Sequence, residues 1–230
     1  MRSKEAEAAL AIRAADQWGL FTTGQARRLG LTQKRLTQLT AAGRINHAEA
    51  RGVYRFAGTP TEATHEALRV HWLALNASRF ASERVQALRG GTPDAVVSHM
   101  SAAAVVYQLA RATSPTLDYT VAPPRRTTIQ HVQLHAATAA VEWDCVDGLP
   151  VTTVARTIVD LFQTGTPTTV LGGIITTALQ RAMADVSAIS QALDPLTDGS
   201  GRETVMAALT AAGAPETLAE GNRLLFSGRR

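Results

Sequence analysis

Hydrophobic residues change their period over the first sixty positions of this chain, from helical steps of three and four to a brief alternation. Residues 4–18 predict an amphipathic helix with Ala8, Leu10, Ile12, Ala15 and Trp18 on its apolar face. Gly19 stops it. Leu20 and Phe21 lead into Thr22-Thr23, a pair suited to an N-cap. The short helix that follows runs through Leu29 and ends at Gly30. Thr32 caps the next helix, which continues to Ala42 and stops at Gly43. Leu36 and Leu39 lie three apart and face inward, which leaves Gln33, Lys34, Arg35 and Gln38 to point elsewhere. A strand opens at Arg44-Ile45, residues 47–52 form a turn-prone tip, and Val53-Tyr54-Arg55-Phe56 alternates as a returning strand.

Two short helices broken at a glycine and followed by a hairpin have the layout of a winged helix-turn-helix. Gly58-Thr59-Pro60 marks the first boundary. Residues 61–88 have helical character, ended by Gly90-Gly91-Thr92-Pro93, and Ala95-Val96-Val97 is a short apolar run. Ser98 is expected to cap a helix through about Arg111, which Ser114-Pro115 separates from a strand at 116–122. Pro123 to Arg126 read as a stiff basic turn, and 129–135 and 141–146 as weaker strands. Thr152-Thr153 cap a helix through Phe162. Residues 167–227 read as helices with breaks at Asp194-Pro195, at 199–201 and at 213–215, and the last three residues as a frayed basic end. The expectation is a helix-rich α+β chain. A winged helix-turn-helix occupies 1–58, followed by a mixed α/β C-terminal domain at 61–230. Within that domain 95–165 is the mixed core and 167–227 is helical.

Charge sharpens the picture. Residues 1–60 hold ten Lys/Arg against four Asp/Glu, a net of +6, whereas residues 61–230 hold thirteen against fifteen, a net of −2. A positive module joined to a near-neutral remainder suits a polyanion such as DNA. A major groove admits one α-helix, whose first residues reach base edges. That places Gln33, Lys34 and Arg35 in the first turn of the recognition helix and Gln38 one turn on. The helix N-terminus at Thr32 favours a phosphate. Arg27 and Arg28 are placed to hold the flanking backbone, and Arg51 and Arg55 to reach a minor groove or its phosphates from the hairpin.

Other chemistries find little support. The single cysteine, Cys145, allows no intrachain disulfide and no cysteine-based zinc site, and is expected to be a small core residue. No run approaches the ~18 apolar residues of a membrane span, and the N-terminus lacks the apolar core of a signal peptide, so a reducing cytoplasm is expected. Phosphate-binding loops, nucleophile elbows and dinucleotide fingerprints are absent. His131 and His135 lie in a stretch read as strand, where a spacing of four puts them about 13 Å apart. His65 and His71 show no partner pattern. Thr153 reads as a helix cap, with Arg156 pairing Asp160 one turn on. No catalytic residue, metal ligand or cofactor is expected.

Taken with TTGQARRLG and the hairpin GVYRF, the segments AVVSHMSAAAVVYQL at 95–109 and DGLPVTTVARTIVDL at 147–161 resemble the AbiEi-type antitoxins of bacterial type IV toxin–antitoxin systems. The resemblance covers residues 5–58 and 94–163. It implies a winged-helix domain that represses its own operon by binding inverted repeats in the promoter; two-fold operator symmetry would require two copies on DNA, which leaves a monomer in solution open. It also implies a C-terminal domain that opposes a nucleotidyltransferase toxin. Exposed arginines of that second domain, taken to be Arg79, Arg84, Arg125, Arg126 and Arg156, are the candidates for the antitoxin role. Chains of similar layout can carry a restriction-endonuclease-like domain, but no lysine follows Lys34 and no Glu-x-Lys completes Glu142, Asp144 and Asp147. Two other classes stay open: a winged-helix transcriptional regulator with a ligand-sensing or dimerising C-terminal domain, and a degenerate nuclease-like scaffold that only binds partners.

Overall fold

The computed structural model describes residues 3–92, 94–112, 114–137 and 140–227. The expected turn residue Pro93 and the basic end at 228–230 lie outside the described residues. The chain is helix-rich α+β, with a three-stranded and a five-stranded sheet. It divides into two compact units. The first comprises Met1–Ala95, Val121–Ala136 and Cys145–Pro150; the second comprises Val96–Thr120, Ala137–Asp144 and Val151–Arg230.

The first unit begins with α1 (Ser3–Ala15), β1 (Leu20–Thr22), α2 (Thr23–Arg28), α3 (Gln33–Ala41), β2 (Ile45–His47) and β3 (Val53–Phe56). β3 is the central strand, antiparallel to both neighbours, with Phe21 opposite Tyr54 and Ile45 opposite Phe56. Phe21 packs its ring on Tyr54 and Phe56, at centroid distances of 5.5 and 5.1 Å. This order and pairing are those of a winged helix-turn-helix, as expected; the strand role of Leu20–Thr22 was not foreseen. Thr22 caps α2 as anticipated, in a reciprocal box with Gln25, and Thr32 caps α3 by accepting the Arg35 N–H. Leu36 and Leu39 are buried, in one core with Leu10, Ala14, Ala26 and Phe80.

The expected face of α1 needs correction. The apolar residues it buries are Ala6, Leu10 and Ala14 at steps of four, whereas Ala8 and Ala15 are exposed and Ile12 is 68 % exposed. Apolarity alone does not say which stripe of an alanine-rich helix meets the core. Nor does the unit end at Gly58. Two further helices, α4 (Glu66–Leu75) and α5 (Ala81–Arg89), belong to it, so the expected helical stretch 61–88 is broken between them. Arg55 fastens α4 to the wing sheet by donating to the Trp18 and Pro60 carbonyls and to the Glu66 carboxylate. Arg84, 0 % exposed, pairs with Asp94 at 2.7 Å and lies 3.6 Å from the Trp72 ring centroid.

The five-stranded sheet has the order β6-β5-β4-β8-β7, formed by β4 (Val96–Val97), β5 (Leu117–Val121), β6 (Val132–Ala136), β7 (Trp143–Val146) and β8 (Leu149–Thr152). β4 runs antiparallel to β5 and parallel to β8. The helix expected from Ser98 to Arg111 is a shorter π-helical segment, Ser101–Val106, halted before the left-handed Gln108. Ser98 does not cap it. The Ser98 hydroxyl bonds His99 Nδ1 at 2.8 Å and accepts from Thr120 Oγ1 at 2.9 Å, while Ser101 Oγ accepts the Asp118 N–H. Cys145 is exposed rather than a core residue.

Thr153 caps α6 (Val154–Gln163), as read from the sequence, and Arg156 pairs with Asp160 at 2.7 Å. The helices α7 (Thr168–Gln180), α8 (Val186–Leu193), α9 (Gly201–Ala211) and α10 (Leu218–Ser227) complete the second unit. Asn222 on α10 is buried. Its amide accepts the Val186 N–H at 2.9 Å and donates to the Leu179 and Ala184 carbonyls, which pins α10 to the α7–α8 connection.

Candidate nucleic-acid interface

With Leu36 and Leu39 turned inward, α3 presents Gln33, Lys34, Thr37 and Gln38 to solvent. Glu7 on α1 sits beside this helix, nearly buried, and holds two arginines: Arg35 Nε at 2.7 Å and Arg44 Nη1 at 3.3 Å. Arg35 also donates to Gln38 Oε1 at 3.2 Å, which orients that amide. The Arg35 guanidinium holds its proton above the usual arginine value because it bonds the Glu7 carboxylate, although burial opposes the shift. Gln33 Nε2 reaches the Tyr54 hydroxyl at 3.4 Å, joining the start of α3 to β3. A cleft opens there, lined by Thr23, Gln33, His47, Arg51 and Tyr54. The wing tip beyond it is braced by Thr23 N–H donating to the Gly52 carbonyl at 2.8 Å.

The nine sequence candidates have separate fates. Arg27, Lys34 and Arg51 are exposed and form no ion pair among the described residues. Gln33 and Gln38 share the exposed α3 face. The Thr32 hydroxyl is used by the helix cap. Arg28 turns to α5, where Glu83 takes its Nη1 at 2.7 Å. That bond lowers the Glu83 pKa, burial opposing it, with help from the Phe80 N–H and the charges of Arg28 and Arg13. Arg55 has only 11 % of its side chain exposed and is spent on Glu66.

Of the five arginines assigned to a second domain, Arg79, Arg84, Arg125 and Arg126 fall in the first compact unit and Arg156 in the second. Arg84 is fully buried, which corrects its expected exposure. Burial alone would raise the Asp94 pKa, yet hydrogen bonds and charge from Arg84, the Ala95 N–H and the charge of Arg125 leave it lowered. Arg156 is largely covered by Asp160 and the Ala140 carbonyl. Arg79, Arg125 and Arg126 are exposed.

Sequence reasoning missed the partners of these cations. Glu7 and Glu66 lie on the same faces as many solvated acids do, and nothing local marks them. It also gave His65 no partners, whereas Glu62, His65 and Asp147 stand together with one ligand atom of each within 4.8 Å of the others. No helix among the described residues is long and apolar enough to cross a membrane.

The element order and sheet pairing of residues 3–56 are compatible with the winged helix-turn-helix class. Residues 9–57 match the model of a family described as transcriptional regulator, AbiEi antitoxin. The match begins within α1 and runs through the wing; the segments 95–109 and 147–161 lie beyond it. No curated protein matches the chain. Among solved structures, the chain is similar to the crystal structure of the RV2827C protein from Mycobacterium tuberculosis. The identity is 13 % and the TM-score 0.53, over 96 % of this chain and 81 % of that one. At that identity the likeness is one of fold.

Proposed function

We propose that this chain is a DNA-binding antitoxin that represses its own operon and counteracts a cognate nucleotidyltransferase toxin. The observation that carries the reading is the exposed α3 face, Gln33, Lys34 and Gln38, accompanied by Arg27 and Arg51, which form no ion pair among the described residues, within a segment that matches a transcriptional-regulator family. In this reading α3 enters the major groove. Lys34 donates to guanine N7 or O6, and Gln33 and Gln38 bond adenine edges. Arg35 acts mainly through Gln38, whose amide it orients. Arg27 and Arg51 bind phosphates, which set register rather than sequence preference. Inverted repeats require two copies on DNA.

The test is a gel shift of the purified protein on its own upstream DNA, with an unrelated duplex as control, across a salt series. Selective binding that weakens steeply with salt is expected; equal affinity for both duplexes overturns operator recognition. Rescue of growth on co-expression with a nucleotidyltransferase encoded next to it tests the antitoxin half, and failure to rescue removes it. A cavity of about 420 Å3 among α8, α9 and α10, edged by Arg202, Glu216 and Arg223, favours a second reading, a regulator that senses a small ligand. Operator binding without any toxin rescue is the outcome that selects it.

A further inference from the structure

We propose that Glu62, His65 and Asp147 form a binding site for a divalent transition-metal cation of the zinc class. Glu62 and His65 lie just before α4, three residues apart, and Asp147 occupies the turn between β7 and β8. The turn is fixed from outside itself: the Trp18 indole N–H donates to the Asp147 carbonyl at 2.8 Å. The Trp18 ring also lies against Gly148, where a Cβ would come within 3.0 Å of it at a φ of +82°. All of these residues belong to the first compact unit.

His65 Nδ1 stands 3.3 Å from a Glu62 oxygen and 3.6 Å from an Asp147 oxygen. Ligands about 2.0–2.2 Å from a tetrahedral ion are about 3.3–3.6 Å from one another, so the observed spacing is that of a coordination edge. The second observation is independent of spacing. The His65 side chain is only 9 % exposed, and neither of its ring nitrogens has a hydrogen-bond partner among the described residues. Buried imidazole nitrogens are ordinarily satisfied. Nδ1 faces two carboxylate oxygens yet forms a hydrogen bond to neither among the described residues, an arrangement that an ion shared by the three groups would satisfy.

Arg69 supplies an outer contact. Its Nη1 holds Glu62 Oε2 at 2.6 Å and its guanidinium lies 5.1 Å from the Trp18 ring centroid. Ligating carboxylates are commonly oriented by such partners. Two carboxylates against one guanidinium leave the site net negative. One imidazole nitrogen with two carboxylate oxygens selects zinc-like ions over Mg2+ and Ca2+, which take oxygen sets. The exposed flanks of Glu62 and Asp147 leave a path for the ion and a position for water.

The test uses the full chain after chelator treatment, titrated with ZnCl2 by calorimetry and followed by thermal melting. Uptake of one ion per chain with a higher Tm is expected, with no response to MgCl2 at the same concentration. Asp147→Asn, on the surface, leaves the fold intact and removes a ligand, so it is expected to weaken uptake by at least about 10-fold, the lower bound for loss of a mere orienting partner; His65→Ala does the same, and His131→Ala leaves uptake unchanged. No uptake by the native chain, native-like uptake in both site variants, or an equal response to Mg2+ overturns the proposal. None of these outcomes touches the operator reading, whose contacts lie on α3 and the wing.

Discussion

At the scale of single residues, the same side chain has opposite work depending on who stands beside it. Lys34 and Arg55 are both cations of the basic segment, but Lys34 has no acidic partner among the described residues while Arg55 is buried against Glu66. Lys34→Ala is therefore expected to leave the melting temperature alone and to weaken operator binding by about 1–3 kcal/mol if it reads a base, or to reduce the salt slope by about one if it binds a phosphate. Arg55→Ala is expected to cost stability, about 3 kcal/mol in denaturant unfolding, because it strands the Glu66 carboxylate and the Trp18 and Pro60 carbonyls. A Lys34→Ala protein that binds its operator with native affinity and salt slope would remove α3 as the recognition helix. In the sequence the two residues are equals, since charge is written there and pairing is not.

At the scale of elements, local chemistry was legible and close packing was not. The caps at Thr22, Thr32 and Thr153 follow from a hydroxyl before a helical run, and each is found. Ser98 has the same signature but a different outcome, because His99 and Thr120 compete for its hydroxyl. Gly172 and Gly173 make the contrast testable. A Cβ at Gly172 would lie 1.9 Å from the Ala208 carbonyl oxygen on α9, whereas one at Gly173 meets nothing within 4 Å. Gly172→Ala is expected to destabilise by about 2–3 kcal/mol by forcing α9 away. Gly173→Ala is expected to stabilise by up to about 1 kcal/mol through helix propensity. Chemical denaturation of the two variants checks this; equal effects would mean that α7 and α9 do not cross at Gly172.

At the scale of the whole molecule, acid should loosen the first unit. Folding lowers the pKa values of Glu83 and Asp94, so protons bind the unfolded chain more tightly than the native one. Their contribution is complete above the unfolded values, about 3.9–4.3, and is lost as pH falls through the depressed native values. Stability measured by urea unfolding is thus expected to decline below about pH 4, with a shallower decline in Asp94→Asn, which starts lower because Arg84 is left buried without its charge partner. An unchanged acid slope in that variant would show that the Arg84 pair does not govern it.

The sequence by itself determined the helix order and the wing hairpin of the first fifty-eight residues, their basic charge, the inward pair Leu36 and Leu39, and the exposed polar face this leaves on α3. Those properties are set by residues three or four apart, so a linear pattern suffices. Only the tertiary structure decided which cations remain free, which stripe of α1 meets the core, that α4 and α5 join the first unit, and that Asp147 stands beside His65. Each of those is settled by a partner distant along the chain, and a local pattern carries no record of what the fold brings near.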